Sequence, residues 1–88
     1  MTELDVAVTN PLGLHARPAA ELVKLASTFS SEIWIAKGKL DVNGKSIMGV
    51  LTLAAEQGAV LRVRADGDDE EWAVAALFDL IRGGFGKE

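Results

Sequence analysis

The sequence predicts an α+β fold: a sheet with helices packed on one face and water on the other. Two observations carry this. Segments of alternating apolar and polar residues interleave with segments of helical periodicity, in the order strand, helix, strand, strand, helix, strand, helix. Each strand pattern has a single apolar face, which suits a sheet that is covered on one side only. At 88 residues the chain is expected to form one domain, residues 1–88, with one core.

The elements follow in order. "LDVAV" sets Leu4, Val6 and Val8 against polar or small neighbours, and "NPLG" breaks the pattern with turn residues. Apolar residues at Ala19, Leu22, Val23 and Ala26 predict an amphipathic helix from Ala16 to about Thr28. "SSEIWIAK" alternates again, with Ile33 and Ile35 on one face and Trp34 on the open one. "KGK" is a tight turn and "LDVN" the returning strand.

Ser46 is expected to cap a short helix carrying Ile47, Val50, Leu51 and Ala54, with Gly58 as its stop. Gly49 weakens that helix by up to about 1 kcal/mol, so it has to depend on packing. "VLRVRAD" places Leu61, Val63 and Ala65 opposite Arg62 and Arg64, as a fourth strand. The closing helix has the stripe Ala73, Ala76, Leu77, Leu80 and Ile81. Asp68 with Glu71 reads as its capping box, and Gly83 as its end.

Composition removes several function classes. There is no cysteine and one histidine, which excludes disulfides, thiolate metal sites and multi-histidine metal sites. Asp66, Asp68 and Asp69 leave room for a carboxylate calcium or magnesium site, but the calcium-loop pattern is absent, and neither metal nor cofactor is expected. The net charge of −4 and the lack of an aromatic stacking stripe argue against nucleic acid and anionic membranes. "MTELDVAVTN" is no signal peptide, and no apolar run is long enough to span a bilayer. A soluble cytoplasmic protein is expected.

The one histidine, His15, stands where the first helix should begin. The first backbone N–H groups of a helix have no intrahelical acceptor, and the helix dipole adds roughly half a positive charge there. Such an end binds anions, and it favours the neutral, nucleophilic form of an imidazole. Arg17 supplies a permanent cation suited to phosphoryl oxygens. Pro18 fits the first turn and removes one donor, which leaves the amides of Ala16, Arg17 and Ala19. Gly13 lets the loop bend. These parts suit an imidazole that accepts a phosphoryl group. They suit hydrolysis less, because no serine or cysteine nucleophile is near in sequence.

"NPLGLHARPAAELVKLAS" resembles the active-site segment of the HPr family, the histidine-containing phosphocarriers of the bacterial phosphotransferase system. "NGKSIMGVLTLAAEQG" resembles the family's second signature, and length and element order agree along essentially the whole chain. The resemblance implies an open-faced β-sandwich, a four-stranded antiparallel sheet with three helices on one side. It implies that His15 takes phosphate at Nδ1 from phosphorylated Enzyme I and passes it to Enzyme II A domains, with Arg17 steadying the group. The docking surface it implies falls on Ala16, Ala20, Lys24, Lys45, Ile47, Met48 and Leu51. In many bacteria an HPr kinase phosphorylates the serine that corresponds to Ser46, and the product acts on a transcription regulator. "GKS" itself is not a phosphate-binding P-loop, since Lys39 stands where that motif needs glycine.

Two other readings remain: a regulatory paralogue of the nitrogen branch or of carbon-catabolite signalling, and an unrelated enzyme or anion-binding domain. The intact His15–Arg17 pair favours a carrier over the first, and the missing second catalytic group disfavours the other. A monomer is expected, because a carrier must expose its site to successive partners.

Overall fold

In a computed structural model that describes residues 1–87, β1 (Thr2–Ala7), β2 (Glu32–Lys37), β3 (Leu40–Asn43) and β4 (Val60–Asp66) form one antiparallel sheet in the order β1-β4-β2-β3. The register puts Val6 opposite Leu61, Ile35 opposite Val63 and Ile33 opposite Ala65. All six are buried. The alternate positions face water. There Asp5 meets Arg62, and Arg64 lies between Glu3 and Trp34. Arg64 stacks over the Trp34 ring, 5.5 Å from its centroid, and pairs with Asp41. Trp34 is therefore half-covered by its own sheet. Leu4 shares the core side but stays exposed on the edge strand.

Helices α1 (Ala16–Ala26), α2 (Ile47–Thr52) and α3 (Glu70–Arg82) cover the apolar face. Helix α1 buries Pro18, Ala19, Leu22 and Ala26, and α3 buries Ala73, Val74, Leu77 and Ile81. Fully burying a leucine or isoleucine contributes about 1.5–3 kcal/mol, so Leu22, Leu77 and Ile81 anchor the helix layer. Gly49 of α2 lies against Val42 of β3, which lets this glycine-weakened helix pack closely on the sheet.

The pairing of β1 with β4 fixes where the helices start. Ala7 faces Val60 at one end of the sheet and Thr2 faces Ala65 at the other. The chain enters α1 from the Ala7 end and α3 from the Asp66 end, so the two helix N-termini lie at opposite ends. Helix α1 therefore finishes near the start of α3, and α3 finishes near the start of α1. Contacts bear out both. The amides of Ser30 and Ser31 donate to Asp69 at 2.9 and 3.0 Å, and Thr9 Oγ1 donates to the Arg82 carbonyl at 3.0 Å.

Two local expectations are corrected and a third is refined. The capping box is not Asp68 with Glu71. Asp69 is the N-cap residue of α3, and its carboxylate makes no cap bond because the Ser30–Ser31 segment takes it. Glu70 reaches back instead, accepting from the Gly67 amide at 3.1 Å and from Thr2 Oγ1 at 2.6 Å. Helix α2 stops at Thr52, well short of Gly58, because Ala54 turns left-handed at φ +47° and leaves the helix. Gly83 ends α3 as expected, with φ −77°, and the left-handed residues come after it, Gly84, Phe85 and Gly86 at +72°, +57° and +76°. They form a single closing turn rather than a fourth helix, and it carries Phe85 into the core.

Both acids at the start of α3 are held ionised. Hydrogen bonds from the Ser31 hydroxyl and the Ser30 amide pull the Asp69 carboxyl down to about 2. Thr2, the Gly67 amide and the N-terminal ammonium pull Glu70 down to about 2 as well. A carboxyl more acidic in the folded than the unfolded chain stabilises the fold above its unfolded pKa, and that contribution is lost as pH falls through the folded one. Asp69→Asn should therefore be less stable than wild type near neutral pH, with the gap closing between about pH 4 and about pH 2. Urea unfolding at both ends of that range checks this. A gap of equal size at both would show that the Asp69 charge is not responsible.

Candidate functional site

The site is built where the β1–α1 loop meets the first turn of α1. His15 is the N-cap residue, with extended backbone (φ −82°, ψ −170°), and its side chain does not cap the helix. The first helical bond is Ala19 N–H to the His15 carbonyl, at 3.0 Å. This corrects the expected donor set. The Ala19 amide is spent inside the helix, and only those of Ala16 and Arg17 precede the ladder at the positive end of the dipole. Pro18 is buried at the third helical position, where it has no N–H to offer. His15 is half-buried, while Ala16, Arg17 and Ala20 are exposed around it.

The loop is fixed from outside the helix. Asn10 through Gly13 form a tight turn closed by Gly13 N–H to the Asn10 carbonyl at 3.1 Å. Leu14 then buries its side chain and donates its amide to the Ala55 carbonyl at 2.8 Å. The left-handed Ala54 immediately precedes that carbonyl. Gly13 has φ +67°, and a Cβ there would sit 2.3 Å from the Ala55 oxygen. No other residue type fits.

Helix α2 flanks α1. Ser46 is its N-cap, and its hydroxyl accepts from the Gly49 amide at 3.1 Å, as expected. Ile47 and Met48 are 42% and 71% exposed, whereas Val50 is fully buried and Leu51 half-buried. The structure thus separates the exposed apolar pair from the core residue between helix and sheet. Lys24 is exposed on the last turn of α1. Lys45 is less available: its Nζ donates to the Phe29 carbonyl at 2.7 Å and ties the β3–α2 loop to the end of α1. One exposed residue escaped the sequence reading. Leu12, 73% exposed, sits in the turn that leads to His15. Its place between Pro11 and Gly13 in a turn was the available signal.

Among the described residues no three acidic or histidine side chains converge to hold a metal. Among the described residues no helix is long and apolar enough to cross a membrane. Asp69, a candidate in the acidic run, is engaged by Ser30 and Ser31.

The family model for the PTS HPr component phosphorylation site matches residues 2–83. The chain belongs to the HPr family. It is 47% identical over 87 residues to the phosphocarrier protein HPr of Neisseria meningitidis, covering 99% of this chain and 98% of that one. It is 49% identical over 88 residues to the HPr of Xylella fastidiosa, covering 100% and 99%. The crystal structure of an HPr from Thermoanaerobacter tengcongensis superposes with a TM-score of 0.95 at 52% identity, covering 100% of this chain and 99% of that one. The open-faced sandwich expected from the sequence is therefore the fold. The chain is a phosphoryl carrier of the phosphotransferase system, not an enzyme, and the family's partners are Enzyme I and the Enzyme II A domains.

Replacing Gly13 with alanine should cost roughly 2–5 kcal/mol, from the left-handed backbone and the collision with Ala55 together. Denaturant unfolding measures the loss, and faster hydrogen exchange at the Leu14 amide should accompany it. Wild-type stability in Gly13→Ala would mean the loop can be rebuilt without this contact.

Proposed function

We propose that His15 is the residue that carries the phosphoryl group. The observation that supports this most strongly is the placing of the chain's one imidazole at the N-terminus of α1, with its side chain not spent on capping. The Nδ1 lone pair attacks phosphorus, the bond from phosphorus to Enzyme I breaks, and its electron pair stays on Enzyme I. In this role the amides of Ala16 and Arg17, with the Arg17 guanidinium, stabilise the charge that arrives. The second transfer runs the same exchange toward an Enzyme II A domain and returns the imidazole.

Docking in this reading uses Ala16, Ala20, Lys24, Ile47, Met48 and Leu51, with Leu12 added by its exposure. Met48 adapts to two unlike partners, and Lys24 attracts acidic surfaces although the chain is acidic overall. Lys45 contributes charge, but its tie to Phe29 limits its reach. The protein acts as a monomer in the cytoplasm.

Incubation with Enzyme I and labelled phosphoenolpyruvate should put an acid-labile label on the wild-type protein and none on His15→Ala. Equal labelling of the two would remove His15 from this role.

Ser46 offers a second, regulatory site for an HPr kinase, with the modified protein then acting on a transcription regulator. A phosphate there meets the helix end favourably, yet adds negative charge next to Ile47 and Met48. Ser46→Asp keeps a capping oxygen, so stability should stay within about 0.5 kcal/mol of wild type. Transfer from Enzyme I should slow by roughly tenfold, mostly through a higher KM. Steady-state kinetics with this protein as the varied substrate test it; unchanged KM would end the regulatory reading.

A further inference from the structure

We propose that Asn10 is a positioning residue for phosphoryl transfer, clamped between the His15 loop and the closing turn of the chain. The proposal rests on His15 being the phosphoacceptor.

Asn10 is 2% exposed, one of two buried polar residues among those described, with Ser31 the other. Its Nδ2 donates to the Gly13 carbonyl at 2.7 Å, while its own carbonyl accepts from the Gly13 amide. The turn is thus closed twice, by backbone and by side chain. Gly13 leads directly to Leu14 and His15, so the bond that fixes the Gly13 peptide fixes the direction in which the imidazole is presented. The role needs an amide. Aspartate has the same shape, but would set a carboxylate against the Gly13 carbonyl oxygen, with no proton to share.

Stability alone does not explain this residue. Asn10 Oδ1 is buried and has no hydrogen-bond partner among the described residues. A half-satisfied amide in a core position is a poor stabiliser compared with an apolar side chain of similar size. Geometry explains it better: the Asn10 amide holds the carbonyl side of the Gly13–Leu14 peptide, whose N–H side is bound to the Ala55 carbonyl.

The other jaw of the clamp is the C-terminal turn. Gly84 is buried against this loop: a Cβ on it would lie 3.2 Å from Thr9 Oγ1 and 3.8 Å from Asn10 Cβ. Thr9 Oγ1 donates to the Arg82 carbonyl, and Phe85 holds the turn in the core. The end of α3 thereby braces the loop from behind.

The test compares wild type, Asn10→Asp and Thr9→Val as substrates of Enzyme I. Each rate is normalised to the folded fraction counted from dispersed NMR signals. In Asn10→Asp kcat should fall on the order of tenfold with KM changing much less, because Leu12 is the one docking residue carried by this turn, while Ala16, Ala20, Lys24, Ile47, Met48 and Leu51 lie outside it. In Thr9→Val, which loses only the bond to Arg82, kcat should fall by a smaller factor, and the amide resonances of residues 12–15 should shift. A merely structural role would lower melting temperature and leave normalised kcat alone. Wild-type kcat in Asn10→Asp overturns the proposal, as does an effect confined to KM. If Asn10→Asp does not fold, Thr9→Val decides it, and unchanged kcat there overturns the clamp. Label on His15 of the wild type is scored separately, so failure of the phosphoacceptor reading cannot be mistaken for failure of this one.

Discussion

The start of α1 is not closed by a side-chain cap, and much of the surrounding structure follows from that constraint. A helix N-terminus is ordinarily closed by a serine, threonine or aspartate side chain, a contribution of about 0.5–2 kcal/mol. Here the N-cap residue is His15, whose side chain does not bond back to the helix. In the proposed role the amides of Ala16 and Arg17 would take the phosphoryl oxygens, which a capping side chain would otherwise contest. The helix recovers stability through burial of Pro18, Ala19, Leu22 and Ala26. The loop, deprived of a cap to hold it, is fixed by Leu14 on Ala55 and by the closed turn from Asn10 to Gly13. Helix α2, where the cap has no such duty, uses Ser46 in the ordinary way.

Topology distributes the charges along the same axis. With β1 and β4 antiparallel, α1 and α3 begin at opposite ends of the sheet. Acids gather at the start of α3, where the dipole welcomes them and where Asp69 and Glu70 also tie down the β2 entry and the N-terminus. Arg17 and Lys24 belong to α1. A protein of net charge −4 can therefore still present cations near its site. The acid-sensitive ties lie at the other end of the sheet from His15, so phosphoryl transfer at His15, as proposed, would not compete with the ion pairs that hold the fold.

The architecture was legible in the sequence because its strands have one apolar face and its helices have clear stripes. The position of His15 at a helix start was legible because turn residues before it and a first-turn proline after it mark that boundary. What escaped was decided by contacts between distant segments. Asp68 and Asp69 are equivalent as caps in sequence, and only the approach of Ser30 and Ser31 separates their roles. Ala54 looks like a helix former, yet its position before Ala55 requires a left-handed turn. Lys45 looks like a steering charge until Phe29 is beside it. Asn10 looks like an ordinary turn residue, and its burial depends on a closing turn some seventy residues later.

The short helix α2 shows most directly that stability is not the only demand on this chain. Six residues are too few to be stable alone, so every apolar side chain in α2 would be expected to face the core. Val50 does, and Gly49 allows the approach. Ile47 and Met48 do not, and α2 presents them to water one residue after the Ser46 cap. Exposed apolar pairs add little to folding and raise the risk of association. Their presence next to a serine that can gain charge without losing its capping oxygen makes sense if the surface is meant to be covered and uncovered in turn. A carrier that meets two different proteins through one face needs contacts that are apolar, adaptable and weak enough to release. In the proposed docking surface, an exposed isoleucine and methionine on a helix fixed only by its buried side would supply that.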